Sequence, residues 1–156
     1  MASSGNFNVK HGGKIRFSAI VSSSESNAWN KGRLLKLNTD GTWAIHDGTN
    51  RALTGVAMED RILSTSVGPT TSLTKVGAPT GARYSAILDP AVVTTDEITS
   101  GISFNPGDDI YVSTGGAATT SGNSTGSNAH RIGKAISSAH SNDNLRPLTF
   151  YFDVSY

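Results

Sequence analysis

The chain has no cysteine in its 156 residues, which excludes a disulfide framework and any cysteine-ligated zinc site. Charge is scarce too: Asp, Glu, Lys and Arg make up 16%, where an ordinary soluble domain has about 25%. The formal net charge of +1 gives no field strong enough to gather nucleic acid or anionic lipid. No apolar run approaches the roughly 20 residues of a membrane-spanning helix. The opening "MASSGNFNVK" has no apolar signal core, so neither membrane insertion nor export by a cleaved leader is expected. Helical spacing is missing as well. No window keeps an apolar stripe for three turns, and "DRILSTS" (60–66) and "TTDEITSG" (94–101) are each expected to hold at most a short helix.

What fills the chain is two-residue alternation. In "KIRFSAIV" (14–21), Ile15, Phe17, Ala19 and Val21 share one face while Lys14, Arg16 and Ser18 share the other. "LTFYFDV" (148–154) alternates more cleanly, with Leu148, Phe150, Phe152 and Val154 on one side, and predicts a core strand. Between them lie "RLLKL", "TWAIH", "ALTGVAM", "ARYSAIL", "DIYVS" and "RIGKAI", each bounded by Gly, Pro, Asn or Asp. Asp40-Gly41 and Asp47-Gly48 flank the "TWAIH" run, and Asp-Gly beside alternating apolar residues is a hairpin signal because Gly accepts positive φ. The expected fold is therefore all-β: a small sandwich or barrel of short antiparallel strands. Its loops are long and rich in Gly, Ser and Thr, notably 66–82 around one short strand near 73–76, and 113–130 as a flexible hairpin connection.

Residues 1–13 read as an extended, flexible N-terminal arm and 14–156 as a single β domain. The arm has few apolar residues to hold it on its own domain, so a partner is expected to order it. Within the domain, two related β units are visible at about 32–58 and 107–136. Each runs Gly, strand, polar turn, strand, with Gly-x-Ala in the second strand: Gly55 to Ala57 and Gly133 to Ala135.

Little in the sequence carries chemistry. His11, His46, His130 and His140 are scattered singly, with no spacing that sets two imidazoles on one metal. "GNSTG" (122–126) approaches a nucleophile elbow, but Ser124 sits in a polar tract with no strand-to-helix turn. Asp108-Asp109 reads as a turn opening a strand, since a two-metal carboxylate site needs a second carboxylate strand and a larger frame. No phosphate-cradling glycine motif is present. Trp29, Trp43, Tyr84 and Tyr111 are either core aromatics or platforms for sugars or partners, and the core reading is favoured. No catalytic, cofactor or metal residue is assigned, and an enzyme is not expected.

"LLKLNTDGTWAIHDGTNRALTGVAMED" resembles the heart of the lambda-type head decoration proteins of tailed bacteriophages. The matching elements are Leu35, Leu37, Asn38 and Thr39, then Trp43 to Ile45, Asp47-Gly48-Thr49, and Gly55-Val56, with a closing "LTFYF" strand also similar. "GDDIYVSTGGAATT" and "RIGKAISS" resemble a second set of phage capsid cement proteins. The likeness covers about half of the chain, which is longer than lambda-type decorators and has a Ser/Asn-rich arm where theirs is richer in proline. The resemblance implies a structural virion protein, made in the host cytoplasm, that binds the outer surface of the mature head and stabilises it. Its partners would be the major capsid protein and neighbouring copies, often as a homo-trimer, with no nucleic acid, membrane or cofactor. The arm residues Phe7, Asn8, Val9, Lys10 and His11 would contact the capsid by strand addition. The alternative is a β-sandwich binding module of a phage tail or fibre, or a carbohydrate-binding domain.

Overall fold

A computed structural model of the chain describes residues 7–48, 53–62, 82–88, 90–120, 131–143 and 146–154. The described residues hold no helix and thirteen strands: β1 (Asn8–Gly12), β2 (Arg16–Ile20), β3 (Leu34–Leu37), β4 (Trp43–Ile45), β5 (Leu53–Ala57), β6 (Arg83–Ile87), β7 (Ala91–Thr95), β8 (Ser103–Phe104), β9 (Asp109–Val112), β10 (Ala118–Thr119), β11 (Arg131–Ala135), β12 (Ala139–His140) and β13 (Leu148–Phe152). They form a five-stranded sheet, a six-stranded sheet and the short pair β8·β12, with every strand pairing antiparallel. The fold is all-β, as the alternation predicts.

The two larger sheets are built alike. One runs β2-β6-β5-β3-β4, and the other runs β7-β13-β11-β9-β10 with β1 added outside β7. Each is drawn round on itself by a parallel bridge from the continuation of its first strand to its hairpin edge: Val21 to Trp43, and Ile98 to Ala118. The Ser22 N–H donates to the Trp43 carbonyl at 2.8 Å, and the Thr99 N–H to the Ala118 carbonyl at 2.9 Å. The hairpin turns also correspond. Asn38 N–H reaches Thr42 O and Gly41 N–H reaches Asn38 O, just as Ser113 N–H reaches Ala117 O and Gly116 N–H reaches Ser113 O. Gly41 and Gly116 take φ of 78° and 72° there, a region that costs a residue with a Cβ about 1–2 kcal/mol. The segments 32–58 and 107–136 thus run β3–β4–β5 and β9–β10–β11 at the same places in the two sheets.

The two sheets share a wall. Adjacent Leu34 and Leu35 are both buried because β3 is covered on both faces. Leu35, Trp43, Ala57, Tyr84, Ala86 and Ala19 fill the inside of the first sheet. Leu34, Val56 and Ile87 point the other way and join the core of the second, with Ile110, Val112, Ile132, Leu148, Phe150 and Phe152. Covering those three side chains contributes roughly 5–8 kcal/mol, so neither sheet is complete without the other. β13 lies between β7 and β11 and buries Leu148, Phe150 and Phe152.

Two expectations change. The run 94–101 forms no helix: Thr94 and Thr95 end β7, and the bridge at Ile98 closes the second sheet. The extended backbone there is stabilised by two bonds to β10, from Ala118 N–H to Glu97 O and from Thr99 N–H to Ala118 O, each 2.9 Å. The expected arm is also not free over Asn8–Gly12, which pairs with β7. Phe7 and Val9 supply the apolar hold that the arm was expected to lack, since both pack against the larger core. Of the long loops, 66–81 (with the strand near 73–76) and 121–130 lie outside the described residues, as does most of 60–66.

A Cβ at Gly133 would stand 1.9 Å from the Tyr151 carbonyl oxygen, against fixed backbone. Gly133→Ala is therefore expected to lower stability by about 2–4 kcal/mol. Gly101→Ala, strained at φ +80° but facing open space, should cost about 1 kcal/mol. Urea midpoints of the two variants check the order, and equal losses would contradict the packing described.

Candidate partner-binding surface

Asn8, Val9, Lys10 and His11 lie on β1, at the outer edge of the second sheet, and Phe7 directly precedes it. Asn8 pairs with Thr94, Val9 with Val93 and His11 with Val92, and the register shifts between Val9 and His11 so that Lys10 is skipped. Phe7 and Val9 face the core, half-buried, while Asn8 and Lys10 are exposed. The apolar side chains expected to anchor a partner are thus spent on the chain's own core. What β1 leaves outward is polar. β1 ends at Gly12 and Gly13 follows it, with φ of 76° and 69°, and a Cβ at Gly12 would meet Pro90 O at 2.4 Å. That turn hands the chain from the second sheet to β2 of the first.

The outer face beside β1 mixes hydroxyls, tyrosines and an ion cluster. Thr94 and Thr149 hydroxyls bond at 2.9 Å, and Tyr151 and Ile136 stand 43% and 49% exposed. Asp109 accepts from Arg131 Nε at 2.7 Å and Lys134 Nζ at 2.8 Å. Lys134 and then Arg131 hold the Asp109 carboxyl below its usual value of 3.8. At the hairpin turn of the first sheet, the Thr42 hydroxyl and then its backbone N–H do the same for Asp40. Asp108 accepts the Asn105 N–H at 2.8 Å, so the aspartate pair serves a turn and an ion cluster.

A second polar knot lies between the sheets. Arg33, at the start of β3, reaches Glu97 at 2.6 Å and donates to the Gly115 carbonyl at 2.8 Å. Asn30 Nδ2 donates to the other Glu97 oxygen at 3.0 Å. The Glu97 side chain is only 5% exposed, so its charge is held by these two donors rather than by water. Sequence reading missed this pair, since 64 residues separate the partners (97 − 33) and no local pattern links them.

The candidate aromatic platforms are mostly internal. Trp29, Trp43 and Tyr84 are each no more than 2% exposed, so none can stack on a sugar. Trp29 Nε1 donates to the Glu59 carbonyl at 3.1 Å, its ring meets Tyr84 edge-on at 5.3 Å, and the Arg61 guanidinium lies 5.4 Å over it. Tyr111 is half-buried on β9. His46 is fully buried with Nδ1 accepting the Gly48 N–H at 2.9 Å, which puts the proton of the neutral ring on Nε2. His140 lines a shallow hollow of about 200 Å³ with Phe104, Asp143 and Arg146. Its Nδ1 accepts the Asn142 N–H at 3.0 Å, and Asp143 lies 3.6 Å from Arg146. Among the described residues no three His, Asp or Glu side chains gather to hold a metal ion. His130 and Ser124 lie outside them.

Three further exposed apolar side chains lie at the edge strand β2 and the residue before it. Ile15, Phe17 and Ile20 are 62%, 38% and 40% exposed, although the sequence pattern puts Ile15 and Phe17 on the face that Ala19 buries. An all-β protein with two alike sheets is the class the geometry defines, one sheet edge-capped by β1 and the other carrying no such strand among the described residues. Comparison with protein-family models and with curated protein sequences finds no match to this chain.

Two outcomes follow. Glu97→Ala leaves Arg33 facing the inter-sheet junction without its counter-charge, and a loss of about 3–5 kcal/mol is expected; a urea midpoint like that of the unaltered chain would show the knot to be incidental. Asp109, whose carboxyl titrates below 3.8 when folded, adds stability that is fully present above that pH and is lost as pH falls through the lower folded value. Asp109→Asn should accordingly flatten the acid limb of the stability profile below about pH 4 and leave the neutral limb's shape unchanged. An acid limb as steep as before would contradict the ion cluster.

Proposed function

We propose that this chain is a structural protein of a tailed-bacteriophage head, a cement subunit that binds the outer surface of the mature shell. The observation that carries the reading joins sequence to fold. The two stretches that resemble capsid decoration and cement proteins fall on β3–β4–β5 and on β9–β10–β11. These are corresponding parts of the two sheets, with matching turns and matching closing bonds. Two separate likenesses thus become one likeness to a single β unit used twice. The low charge content and the hydroxyl-rich outer face suit a protein that covers itself with partners at little desolvation cost.

The mechanism is mass action. A subunit that binds the expanded lattice and not its precursor stabilises the expanded form by RT ln(1 + [L]/Kd), about 2.7 kcal/mol at a hundredfold excess over Kd. Contacts to several capsid subunits at once raise the effective concentration of each, so every contact can be weak. The partners in this reading are the major capsid protein and neighbouring copies of the chain, as a trimer or assembled on the lattice. The anchor first expected in residues 7–11 is revised: β1 pairs with β7, and its exposed Asn8 and Lys10 are what it offers outward. The carbohydrate-binding alternative is not carried further, because both tryptophans are buried.

The test is decoration itself. Purified protein added to expanded, undecorated heads of the phage or prophage that carries its gene should occupy symmetric lattice positions saturably by electron microscopy. It should also raise the temperature at which those heads rupture. Random or absent occupancy would overturn the reading.

A further inference from the structure

One turn is fastened to both sheets through a ring that titrates. His46 directly follows β4 and is fully buried. Its N–H donates to the Leu34 carbonyl at 3.0 Å, and the Leu34 N–H donates in turn to the Gly116 carbonyl in the second sheet's hairpin. Two residues on, Gly48 packs against the backbone at the end of β9, where a Cβ would stand 2.7 Å from Val112 O. The Gly48 N–H donates to His46 Nδ1 at 2.9 Å. The turn 46–48 is therefore held in its seat on the second sheet by a bond whose acceptor is an imidazole lone pair.

That bond exists only while Nδ1 carries no proton. A proton there sets N–H against N–H and puts a charge on a ring with no exposure. A second partner for it stands close by. Asp47 Oδ1 lies 3.9 Å from Nδ1, while its Oδ2 accepts from Lys36 Nζ of β3 at 2.5 Å. A shift of roughly 1 Å brings Oδ1 within hydrogen-bond reach of a protonated Nδ1. Among the described residues, the other charged groups on the elements around His46 are Arg33 before β3, Glu25 and Glu97. Both carboxylates are engaged: Glu25 accepts the Ile45 and Asn27 N–H groups, and Glu97 is held by Arg33 and Asn30. The 113–117 turn of the second sheet carries no charge.

The geometry points to His46 as a proton-operated latch: in acid its Nδ1 exchanges the Gly48 N–H for the Asp47 carboxylate and frees the 46–48 turn from the second sheet's hairpin. The turn has two arrangements. In the seated one, Nδ1 accepts from Gly48 and Asp47 belongs to Lys36. In the released one, Nδ1–H donates to Asp47 and the Gly48 N–H loses its partner. The seated turn binds no proton at Nδ1 and the released turn binds one, so release is favoured as pH falls and reversed as it rises. The wall formed by Leu34, Val56 and Ile87 has no titrating group, and it keeps the sheets joined in both arrangements. The inference stands independently of the capsid reading.

Amide exchange of the full-length ¹⁵N-labelled chain, followed from about pH 8 to about pH 4.5 across the histidine range, tests it. The protection factor at Gly48 should fall by up to about tenfold per pH unit, the limit for one proton. Ile110, Ile132 and Phe152 should keep their protection throughout. His46→Asn leaves an amide oxygen where Nδ1 accepts but cannot titrate, so Gly48 protection should hold constant while the other three histidines still titrate. Asp47→Ala alters a side chain 38% exposed, and serves should the first variant not fold. It removes the proton's second partner and should move the fall at Gly48 to lower pH. Constant Gly48 protection in the unaltered chain would overturn the inference, as would the same fall in His46→Asn or an unmoved fall in Asp47→Ala. Loss of protection at Ile110 and Ile132 together with Gly48 would mean general unfolding and overturn it equally.

Discussion

The structure depends on a wall buried from both sides. β3, β5 and β6 send Leu35, Ala57 and Ala86 into one core and Leu34, Val56 and Ile87 into the other. Water is kept off either face only while the opposite sheet is in place, so the hydrophobic gain that forms the first sheet is also what holds the second against it. Polar groups then fix the orientation. Arg33 and Glu97 meet at the junction, and the Leu34 N–H donates across it to the Gly116 carbonyl at 2.8 Å. Gly116 has no room for a Cβ there, which would lie 2.5 Å from Leu34 O. The hairpin turn of the second sheet therefore has a second use in the packing of the first.

That arrangement accounts for the functional character of the molecule. Its buried chemistry is committed: the inner aromatics to packing and the junction charges to each other. What remains at the surface is edge and face, the outer side of β1, the hydroxyl-rich face of the second sheet, and the apolar edge of β2. These are the surfaces on which the proposed cement role would draw.

Much of this was legible in the sequence, for reasons that can be named. "LTFYF" reads as a core strand because β13 has a neighbour on each side and one fully buried face, so its alternation is strict. The Asp40-Gly41 turn is legible because its positive φ demands a residue without Cβ. Legibility fails where long-range geometry overrides a local pattern. "KIRFSAIV" shows an apolar face, but alternation cannot say whether a strand will cover it, and Ile15 and Phe17 remain exposed. The "TTDEITSG" run looks helical only until Ala118 supplies the partner that keeps it extended. The arm looked free because Phe7 and Val9 are too few to hold it alone; they suffice once β7 offers backbone bonds beside an apolar core. The Arg33–Glu97 pair had no local trace at all.

The central claim is that the two alike sheets are one cooperative body joined by their shared wall. Trp29 and Trp43 both lie in the core of the first sheet, so tryptophan fluorescence reports that half alone. Amide exchange at Ile110, Ile132 and Phe152 reports the second. The direct measurement is urea unfolding followed by both signals. The account predicts one coincident transition with the same midpoint and slope for each half. Two separated transitions, with the second sheet persisting after the tryptophans are exposed, would contradict it.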